Sequence, residues 1–466
     1  MRLQFHGAAG GVTGCCHLLT TDRAAVLLDF GLHQGGPLSE RMNRRPPGFD
    51  ARRLDSVVLS HAHIDHSGRL PLLPRLGCRA PIWSTPATRE LCAFMLPDSA
   101  HLQEHDAQRW DHSRSRRRGR PPPRSEQPLY TAEDVATVLR QFRALPYRRS
   151  EPIADGVRLT FHDAGHILGS AIVALDVEEA GQTRRLVFSG DVGNWPAPLL
   201  RDPEPLDAAD VLLLESTYGD RDHKDRQATL DELLAVVSAA RQAGSKVLVP
   251  SFAVGRSQEL IFHLGEFHRD GRLGLPVFLD SPMAVRSTEL YRRHRELFDD
   301  EAWDTIRRGE PLLDFPGLHL CRTTQESVAL NTLAGPAVIL AASGMCTGGR
   351  IVHHLRHHGG RPGTHIVIVG FQAEGTPGRA LVEGARTITL LGERVSIAAR
   401  VHTLGGFSAH ADQSRLVRWA SGFRAARPRT FLVHGEDRAR QALAQRLRAE
   451  LGYEVSLPGL HDAVVA

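Results

Sequence analysis

The chain has 466 residues, of which 41% are hydrophobic and 24% charged, with a formal net charge of +4 at pH 7. This length exceeds one ordinary hydrophobic core and predicts two domains, the composition is typical of a soluble globular protein, and the small net charge excludes a polycation. No apolar run approaches the roughly 20 residues that span a bilayer, and the amino terminus lacks the apolar core of a signal peptide. We therefore expect a cytoplasmic protein without a membrane partner, whose six cysteines are reduced.

The first two hundred residues contain short apolar runs that mostly end in glycine, aspartate or histidine. Strand-forming residues precede such a polar end in RLQFHGA, AAVLLDFG, DSVVLSHAH, RLTFHDAGH, SAIVALDV and RRLVFSGD. Runs of this length and composition predict strands that lead into polar loops.

From about Ala208 the pattern changes to strands and helices in alternation. ADVLLLEST and KVLVPSF each precede a helical stretch, at 228–242 and 257–268, and the runs PVFLDSP, AVILAASG and HIVIVGF follow. This alternation predicts a parallel sheet flanked by helices. After Arg400 the earlier pattern returns.

Residues 113–124 read SRSRRRGRPPPR, with six arginines and three prolines. A segment of this composition cannot bury apolar surface, which predicts an exposed loop. Phosphate binding is the alternative role for such a charge run, and the sequence leaves it open.

The strongest indication of chemistry is LSHAHIDHSG at residues 59–68. His61 and His63 are two residues apart where a strand ends, so their side chains project to one side. Asp65 and His66 follow in the turn beyond. Neutral imidazoles and carboxylates are ligands of Zn²⁺ and Mn²⁺, and four of them in one short loop exceed what a single ion requires. The motif therefore predicts two neighbouring metal ions.

Three further ligand-type residues each follow a strand-like run, namely His166 in RLTFHDAGH, Asp191 in RRLVFSGD and His434 in RTFLVHGED. Strands that deliver ligands from one end of a sheet build a shared site on a rigid scaffold. The expected ligands are divided between two ions, with the Asp191 carboxylate bridging both: His61, His63 and His166 for one ion, and Asp65, His66 and His434 for the other.

Asp29 closes the run AAVLLDFG. We expect its carboxylate to accept a hydrogen bond from a ligand imidazole and so to orient that ring. An ordinary turn residue at a strand end is the alternative. The expected metals are two Zn²⁺ ions per chain, with Mn²⁺ as the alternative.

These residues resemble a known family. HAHIDH with His166 and Asp191 is similar to the metallo-β-lactamase signature, and LLLESTYGDR, FSAHAD and VHGE resemble motifs A, B and C of its β-CASP branch. The resemblance runs from GAAGGVTG through DSPMAV and SGMCTGGR to the end of the chain. It is greatest for compact bacterial RNA-processing nucleases, which are similar to ribonuclease J and the pre-mRNA 3′-end processing endonuclease.

The resemblance implies an α/β fold in which a metallo-β-lactamase αββα sandwich carries an inserted β-CASP α/β cap domain. The implied boundaries are residues 1–207 for the first part of the sandwich, 208–396 for the β-CASP domain, and 397–466 for the second part with the RNA-metabolising motif. Glu215 stands at motif A, His410 at motif B and His434 at motif C. A histidine at motif C goes with RNA-processing members, whereas the DNA-repair members carry an aliphatic residue there.

The expected activity is that of a zinc-dependent ribonuclease that hydrolyses phosphodiester bonds of single-stranded RNA. Two cations about 3.5–4 Å apart lower the pKa of a shared water, and the resulting hydroxide attacks phosphorus in line. His410 is the expected general acid for the leaving oxygen, oriented by Glu215. Asp65 is counted both as a ligand and as a catalytic residue. The products should carry 5′-phosphate and 3′-hydroxyl ends.

Two glycine-rich loops end in arginine, SGMCTGGR at 343–350 and GFQAEGTPGR at 370–379. Backbone amides in such loops bind anions, although ordinary turns have the same composition. The expected substrate contacts are Ser343, Arg350, Arg379 and Ser408.

Other classes of function are weighed against this one. A DNA nuclease of the same family would use the same metals. A small-molecule hydrolase would not need the inserted cap, and an inactive RNA-binding scaffold would be expected to lose ligands, all seven of which are present. The sequence leaves open whether cutting is endonucleolytic or starts at a 5′ end, which RNAs are cut, and whether the chain is a monomer or a homodimer.

Overall fold

The computed structural model describes residues 1–114 and 127–465, so residues 115–124 of the arginine-rich segment lie outside the described part. The chain forms two compact units. The first unit comprises Met1–Trp195, Asp202–Asp222 and His410–Ala466, and the second comprises Pro196–Arg201 and His223–Ala409. The domain boundaries implied by the family resemblance, at 207/208 and 396/397, stay a prediction.

The described strands of the first unit form two sheets of seven strands each. Its strands are β1 (Arg2–Gly7), β2 (Cys16–Thr20), β3 (Ala25–Leu28), β4 (Ser56–Val58), β5 (Ile82–Ser84), β6 (Phe142–Ala144), β7 (Ser150–Ala154), β8 (Val157–Asp163), β9 (Ala171–Glu179), β10 (Gln182–Phe188), β11 (Val211–Glu215), β20 (Arg429–Val433), β21 (Val455–Ser456) and β22 (Ala463–Val465). The strand order is β22-β1-β2-β3-β4-β5-β6 in the first sheet and β21-β20-β11-β10-β9-β8-β7 in the second. Its helices are α1 (Gly36–Arg44), α2 (Ile64–Ser67), α3 (Leu72–Arg75), α4 (Pro86–Arg114), α5 (Ala132–Leu139), α13 (Gln413–Ala420) and α14 (Asp437–Arg446).

The two sheets of the first unit stack face to face over a shared apolar core. Leu3 and Phe5 of β1 belong to this core, and the ring of Phe5 lies 5.7 Å from the ring of Phe431 on β20. Alternate residues of a strand point to opposite faces of the sheet, so every second apolar side chain fills the space between the sheets. Each fully buried Phe or Leu stabilises the folded chain by about 1.5–3 kcal/mol.

Helices cover the outer faces of the sandwich. On β11, Leu213 points between the sheets, while Leu212 and Leu214 belong to a separate apolar cluster on the opposite face. Leu416 of α13 and Leu443 of α14 complete that cluster. On the first sheet, α4 packs against α5 and β6. The αββα sandwich expected from the sequence is therefore confirmed, and burial on both faces explains why β11 reads as an unbroken apolar run.

The second unit contains a parallel sheet of six described strands, in the order β14-β13-β15-β12-β16-β19, and a separate pair of strands. The strands are β12 (Lys246–Pro250), β13 (Val277–Leu279), β14 (Leu318–Leu320), β15 (Ala337–Ala341), β16 (His365–Ile368), β17 (Thr387–Leu390), β18 (Glu393–Ser396) and β19 (Arg400–Thr403). The helices are α6 (Arg226–Ala243), α7 (Arg256–Arg269), α8 (Pro282–Arg293), α9 (Asp300–Arg307), α10 (Thr324–Ala329), α11 (Ile351–His358) and α12 (Pro377–Val382). The alternation of strand and helix in the sequence predicts this parallel sheet because parallel neighbours require crossover connections. Among the helices that the structure describes in either unit, none combines the length and the apolarity needed to cross a bilayer.

A buried carboxylate ties several elements of the second unit together. Asp280 follows β13, is fully buried, and accepts hydrogen bonds from Arg350 Nη1 at 2.7 Å, Ser327 Oγ at 2.6 Å and His354 Nε2 at 2.6 Å. Burial alone would raise the pKa of Asp280, but the hydrogen bonds from His354, Ser327 and Arg350 hold it below its usual value. The carboxylate is therefore ionised and links β13 to α10 and α11.

We predict that Asp280→Ala lowers the free energy of unfolding by about 3–5 kcal/mol, because it leaves the buried His354 and the partly buried Arg350 without their shared acceptor. Urea unfolding followed by circular dichroism measures this loss. The matched control is Glu383→Ala, which removes the exposed partner of Arg379, a contact of 2.6 Å. An exposed ion pair contributes about 0–1 kcal/mol, so equal losses in the two variants would contradict the prediction.

Candidate metal centre

The predicted ligands lie beyond the carboxyl ends of parallel strands in the first unit. β10, β11 and β20 are adjacent and parallel, so their carboxyl ends share one edge of the second sheet. Asp191 follows β10, Glu215 ends β11, and His434 follows β20. β3 and β4 of the first sheet are likewise parallel, and they lead into Asp29 and His61.

Three imidazole nitrogens and one carboxylate oxygen form a first group. His63 Nδ1 lies 3.2 Å from His61 Nε2 and 3.2 Å from His166 Nε2. Asp191 Oδ2 lies 3.4 Å from His61 Nε2 and 3.5 Å from His166 Nε2. A tetrahedral Zn²⁺ ion with Zn–N distances of about 2.0–2.1 Å holds its ligand atoms about 3.3 Å apart. The first group therefore has the spacing of the ligands around one ion.

A second group has the same spacing. His66 Nε2 lies 3.1 Å from His434 Nε2, and Asp65 Oδ2 lies 3.5 Å from the same nitrogen of His434. Asp191 Oδ1 lies 3.3 Å from His66 Nε2. The donor set of two imidazoles and two carboxylates suits Zn²⁺ or Mn²⁺.

The Asp191 carboxylate belongs to both groups, with Oδ2 directed at the first and Oδ1 at the second. Oδ1 is buried and accepts no hydrogen bond from the residues that the structure describes. A buried carboxylate oxygen without a donor is costly unless a cation neutralises it. The residues thus fit two cations that share one carboxylate, and the individual ligand assignments stay a prediction.

The protonation states of His61, His63 and Asp65 suit metal binding, whereas the carboxylates of Asp191 and Asp29 hold the pKa of the buried His66 well above its usual value. Burial lowers the pKa of His63 to about 4 and holds the pKa of His61 well below its usual value. Both rings are therefore neutral near pH 7 and can offer a lone pair to a cation. Although burial opposes the ionised form of Asp65, the hydrogen bond from His434 and the nearby His66 lower the pKa of Asp65 to about 2.

Asp29 orients one of the imidazoles. Its Oδ2 lies 2.7 Å from His66 Nδ1, so an N–H at Nδ1 donates to this carboxylate and leaves Nε2 for a metal. The same carboxylate accepts hydrogen bonds from the backbone and side chain of Ser60, at 2.7 and 2.8 Å. Asp29 and His434 both have left-handed backbones, with φ of 56° and 50°. Such strain in residues with a Cβ is typical of functional sites.

Sequence reasoning missed two residues that contact the imidazoles. Ser60 Oγ lies 3.1 Å from His61 Nδ1, and Thr217 Oγ1 lies 3.0 Å from His434 Nδ1. Ser60 directly precedes HAHIDH, so its place in the sequence could have indicated this contact. Thr217 lies far from His434 along the chain, and only the pairing of β11 with β20 brings the two together.

His410 and Glu215 form a pair beside the two groups. His410 Nδ1 lies 3.1 and 3.2 Å from the two oxygens of the buried Glu215 carboxylate, which also accepts the backbone N–H groups of Val192 and Thr217. His410 Nε2 lies 3.9 Å from Asp191 Oδ2, farther than the nitrogens of the first group. Burial opposes the charged form of His410, but Glu215 and Asp191 raise its pKa to about 9. Glu215 thus holds the His410 ring in place, and the raised pKa keeps the ring protonated near pH 7. Its Nε2 lies on the side of Asp191.

The four predicted substrate contacts all lie in the second unit. The Arg350 guanidinium donates to Asp280 and to the carbonyls of Cys321 and Arg322. Arg379 is paired with Glu383 on α12, Ser343 Oγ lies 3.1 Å from Thr347 Oγ1, and Ser408 is buried. These contacts do not test a role in substrate binding, which stays a prediction.

Family models cover most of the chain. Residues 25–251 match the beta-lactamase superfamily domain, residues 257–381 match the Beta-Casp domain, and residues 394–458 match the Zn-dependent metallo-hydrolase RNA specificity domain. The three matches follow one another in the order that the motifs predict.

Similar proteins agree with this assignment. Ribonuclease TTHA0252 of Thermus thermophilus is 40% identical over 466 residues, which cover 100% of both chains. Transcription termination factor FttA of Pyrococcus abyssi is 32% identical over 470 residues, 96% of this chain and 68% of that protein. A crystal structure of a protein of unknown function from Enterococcus faecalis superposes with a TM-score of 0.54 at 12% identity, covers 100% of this chain and 99% of its own, and shows the fold alone. This chain belongs to the β-CASP family of the metallo-β-lactamase superfamily.

Proposed function

We propose that this protein is a metal-dependent ribonuclease that hydrolyses phosphodiester bonds of single-stranded RNA with two zinc ions per chain. The observation that carries the proposal is the Asp191 carboxylate, whose two oxygens face two separate groups of imidazole and carboxylate ligands. Two cations held close together suit an in-line displacement at phosphorus, because one site can serve the attacking oxygen and the other the leaving oxygen.

The choice of RNA is supported by the relatives and by one motif. The ribonuclease of Thermus thermophilus is similar over the whole chain, and residues 394–458 match a model described as an RNA specificity domain. His434 stands at motif C of the sequence, and its imidazole belongs to the second ligand group. A DNA nuclease of the same family is the alternative that the second prediction below addresses.

The protein's own residues would prepare the site for this chemistry. When bound, the two cations would lower the pKa of water and neutralise charge on the phosphoryl oxygens. Asp29 and Thr217 hold the rings of His66 and His434 through Nδ1, so that the ligand nitrogens are oriented before a metal arrives. Asp65 serves as both a ligand and a member of the catalytic set in this proposal.

The departing 3′-oxygen needs a proton, and in this proposal His410 donates it. Glu215 accepts a hydrogen bond from His410 Nδ1 and stabilises the charged ring, while Nε2 carries the proton on the side of Asp191. Donation to the 3′-oxygen leaves a 3′-hydroxyl on one product and a 5′-phosphate on the other. Ser343, Arg350, Arg379 and Ser408 are proposed contacts for the RNA backbone.

The first prediction from this proposal concerns the metals. Purified protein should contain close to two transition-metal ions per chain, and chelation should abolish RNA cleavage. Asp191→Ala should lose both ions, because Asp191 is the one ligand proposed for both sites. Elemental analysis of each variant measures the metal content.

The matched control is Asp176→Ala, which removes a partly exposed carboxylate of the same unit that is paired with Arg185. This variant should retain both ions and full activity. Wild-type protein with only trace metal and cleavage that survives the chelator would contradict the metal assignment.

The second prediction concerns the substrate. Single-stranded RNA should be cut much faster than single-stranded or duplex DNA of the same sequence, and binding should weaken steeply as salt rises, because phosphate contacts release counterions. Competition between labelled RNA and DNA in one reaction measures the preference. Equal rates on single-stranded RNA and DNA would favour the DNA nuclease.

A separate assay on labelled RNA distinguishes endonucleolytic cutting from cutting that starts at a 5′ end. Cleavage of a 5′-labelled RNA, with and without a 5′-monophosphate, distinguishes internal cuts from degradation that starts at the 5′ end. Asp191→Ala protein purified in parallel should be inactive, which excludes a contaminating nuclease.

The third prediction separates catalysis from metal binding. His410→Ala should keep both metals and reduce single-turnover cleavage by about 10²–10⁴-fold, the usual range for a positioned proton donor. Glu215→Gln should show a smaller loss. The double variant should be little worse than His410→Ala, since two residues that act as one unit are not additive.

The control for this series is His162→Ala, which removes a partly buried histidine of β8 that pairs with Glu204 and belongs to neither ligand group. It should leave both metal content and cleavage unchanged. Loss of a metal ion from His410→Ala would mean that His410 is a ligand and that the proton is supplied elsewhere.

A further inference from the structure

A small basic cavity lies in the first unit, and none of the seven predicted metal ligands lines it. His6 on β1 and Arg69, which follows α2, form part of its wall, together with Arg45, His33 and His461. Phe5, the neighbour of His6 on β1, points into the core between the two sheets. The cavity lies outside that core, because its apolar wall residues Cys16, Phe30 and Met42 do not belong to it.

The Arg69 guanidinium is a buried cation without a carboxylate partner among the residues that the structure describes. Its Nε donates to the Gly31 carbonyl at 2.5 Å, its carbon lies 4.4 Å above the Phe30 ring, and its buried Nη2 has no hydrogen-bond acceptor. Burial lowers the pKa of Arg69, and the neighbouring Cys16 thiol opposes this shift.

The Cys16 thiol does not supply a negative charge. Burial raises the pKa of Cys16 to about 12, so this thiol is neutral near pH 7. An aromatic face and one carbonyl compensate a buried guanidinium only in part, because taking a charge out of water costs more than such contacts return. The site therefore has an uncompensated positive charge.

The cavity wall also has polar atoms without partners. His6 is buried, and neither of its ring nitrogens has a hydrogen-bond partner among the described residues. Burial lowers the pKa of His6 to about 4, so its ring is neutral and keeps one N–H to donate. The described residues that line the cavity include two arginines and three histidines and no carboxylate. A buried polar atom without a partner is rare in folded proteins unless a ligand or ordered water satisfies it.

The size of the cavity limits the ligand. Its volume is about 60 Å³, and a group the size of a water molecule needs about 10–15 Å³ of this volume. The cavity therefore admits roughly four to six groups of that size. A tetrahedral oxyanion has four oxygens, which fits this space, whereas a whole nucleoside does not. Gly48 forms part of the wall, and a Cβ there would lie 2.8 Å from His6 Nδ1.

We propose that this cavity is an anion site that binds a tetrahedral oxyanion of the phosphate class through Arg69 and His6. The guanidinium offers Nη2 to a phosphate oxygen in a charge-assisted hydrogen bond, and a ring N–H of His6 offers a second. Arg45, which is exposed at the cavity, attracts the anion from solvent. The site does not depend on the two-metal ribonuclease proposed above.

The test is calorimetric titration of metal-loaded, full-length protein with inorganic phosphate, and in a second arm with adenosine 5′-monophosphate. We expect saturable phosphate binding that becomes at least about tenfold weaker in Arg69→Met, since a charge-assisted contact is lost. Binding of the nucleotide with the same dependence on Arg69 would show that a terminal phosphate ester also enters. Binding of phosphate alone would identify the free anion as the ligand.

The matched control is Arg440→Met, because Arg440 is also a buried arginine of the first unit but has a carboxylate partner, Asp437, at 2.7 Å. It should leave phosphate affinity unchanged. Repeating the titration in Asp191→Ala removes any phosphate bound at the metal centre. The Arg69-dependent binding should persist there, so its failure is distinguishable from failure of the proposed ribonuclease.

If Arg69→Met does not fold, the surface variant Arg45→Ala serves instead and should weaken phosphate binding in the same titration. Thermal melting gives an independent measurement, because a ligand that binds only the folded state raises the melting temperature. Phosphate should raise the melting temperature of the wild type and of Arg440→Met more than that of Arg69→Met. Absence of saturable binding, or equal affinity in Arg69→Met and the wild type, would overturn the proposal.

Discussion

The Asp191 carboxylate is the constraint on which the candidate metal centre depends. It is buried in the loop after β10, with one oxygen facing His61 and His166 and the other facing His66. A single carboxylate can serve two ligand groups only if both groups are held within a few tenths of an ångström. Parallel strands of two stacked sheets provide that rigidity, because their backbones are positioned by hydrogen bonds and by a close-packed core.

This positioning requires strained local structure. Asp29 and His434 leave their strands with left-handed φ angles, which the Cβ of an ordinary residue disfavours by about 1–2 kcal/mol. The strain is tolerated because each side chain is held by several partners. Asp29 accepts from Ser60 and His66, and His434 contacts Thr217 as well as the ligand group.

Three buried charged side chains differ in how completely hydrogen-bond partners compensate their charge, and this difference separates a structural role from a functional one. Asp280 of the second unit receives donors on both oxygens, and it acts as a structural link between elements. Within the described part of the chain, Asp191 keeps one oxygen without a donor, which favours cations. Arg69 keeps one nitrogen without an acceptor in that same part, which favours an anion. Burying an unpaired charge is costly, so the groups that stay unpaired indicate where ligands bind. A fully paired carboxylate indicates a structural role, an unpaired carboxylate oxygen indicates a cation site, and an unpaired guanidinium nitrogen indicates an anion site.

The sequence by itself predicted the fold class, the family and a set of imidazoles and carboxylates that the fold brings together, because the motif HAHIDH is local and His166, Asp191 and His434 each follow a recognisable strand. It did not determine which side chains orient those imidazoles: Thr217 meets His434 only through the pairing of β11 with β20. It also did not indicate that Arg350 donates to Asp280, or that Arg69 is buried with no carboxylate partner among the described residues. Such relations depend on burial and on contacts between distant segments, and only the tertiary structure decides them. A residue's charge follows from its identity in the sequence, whereas the partners that compensate this charge follow from the fold.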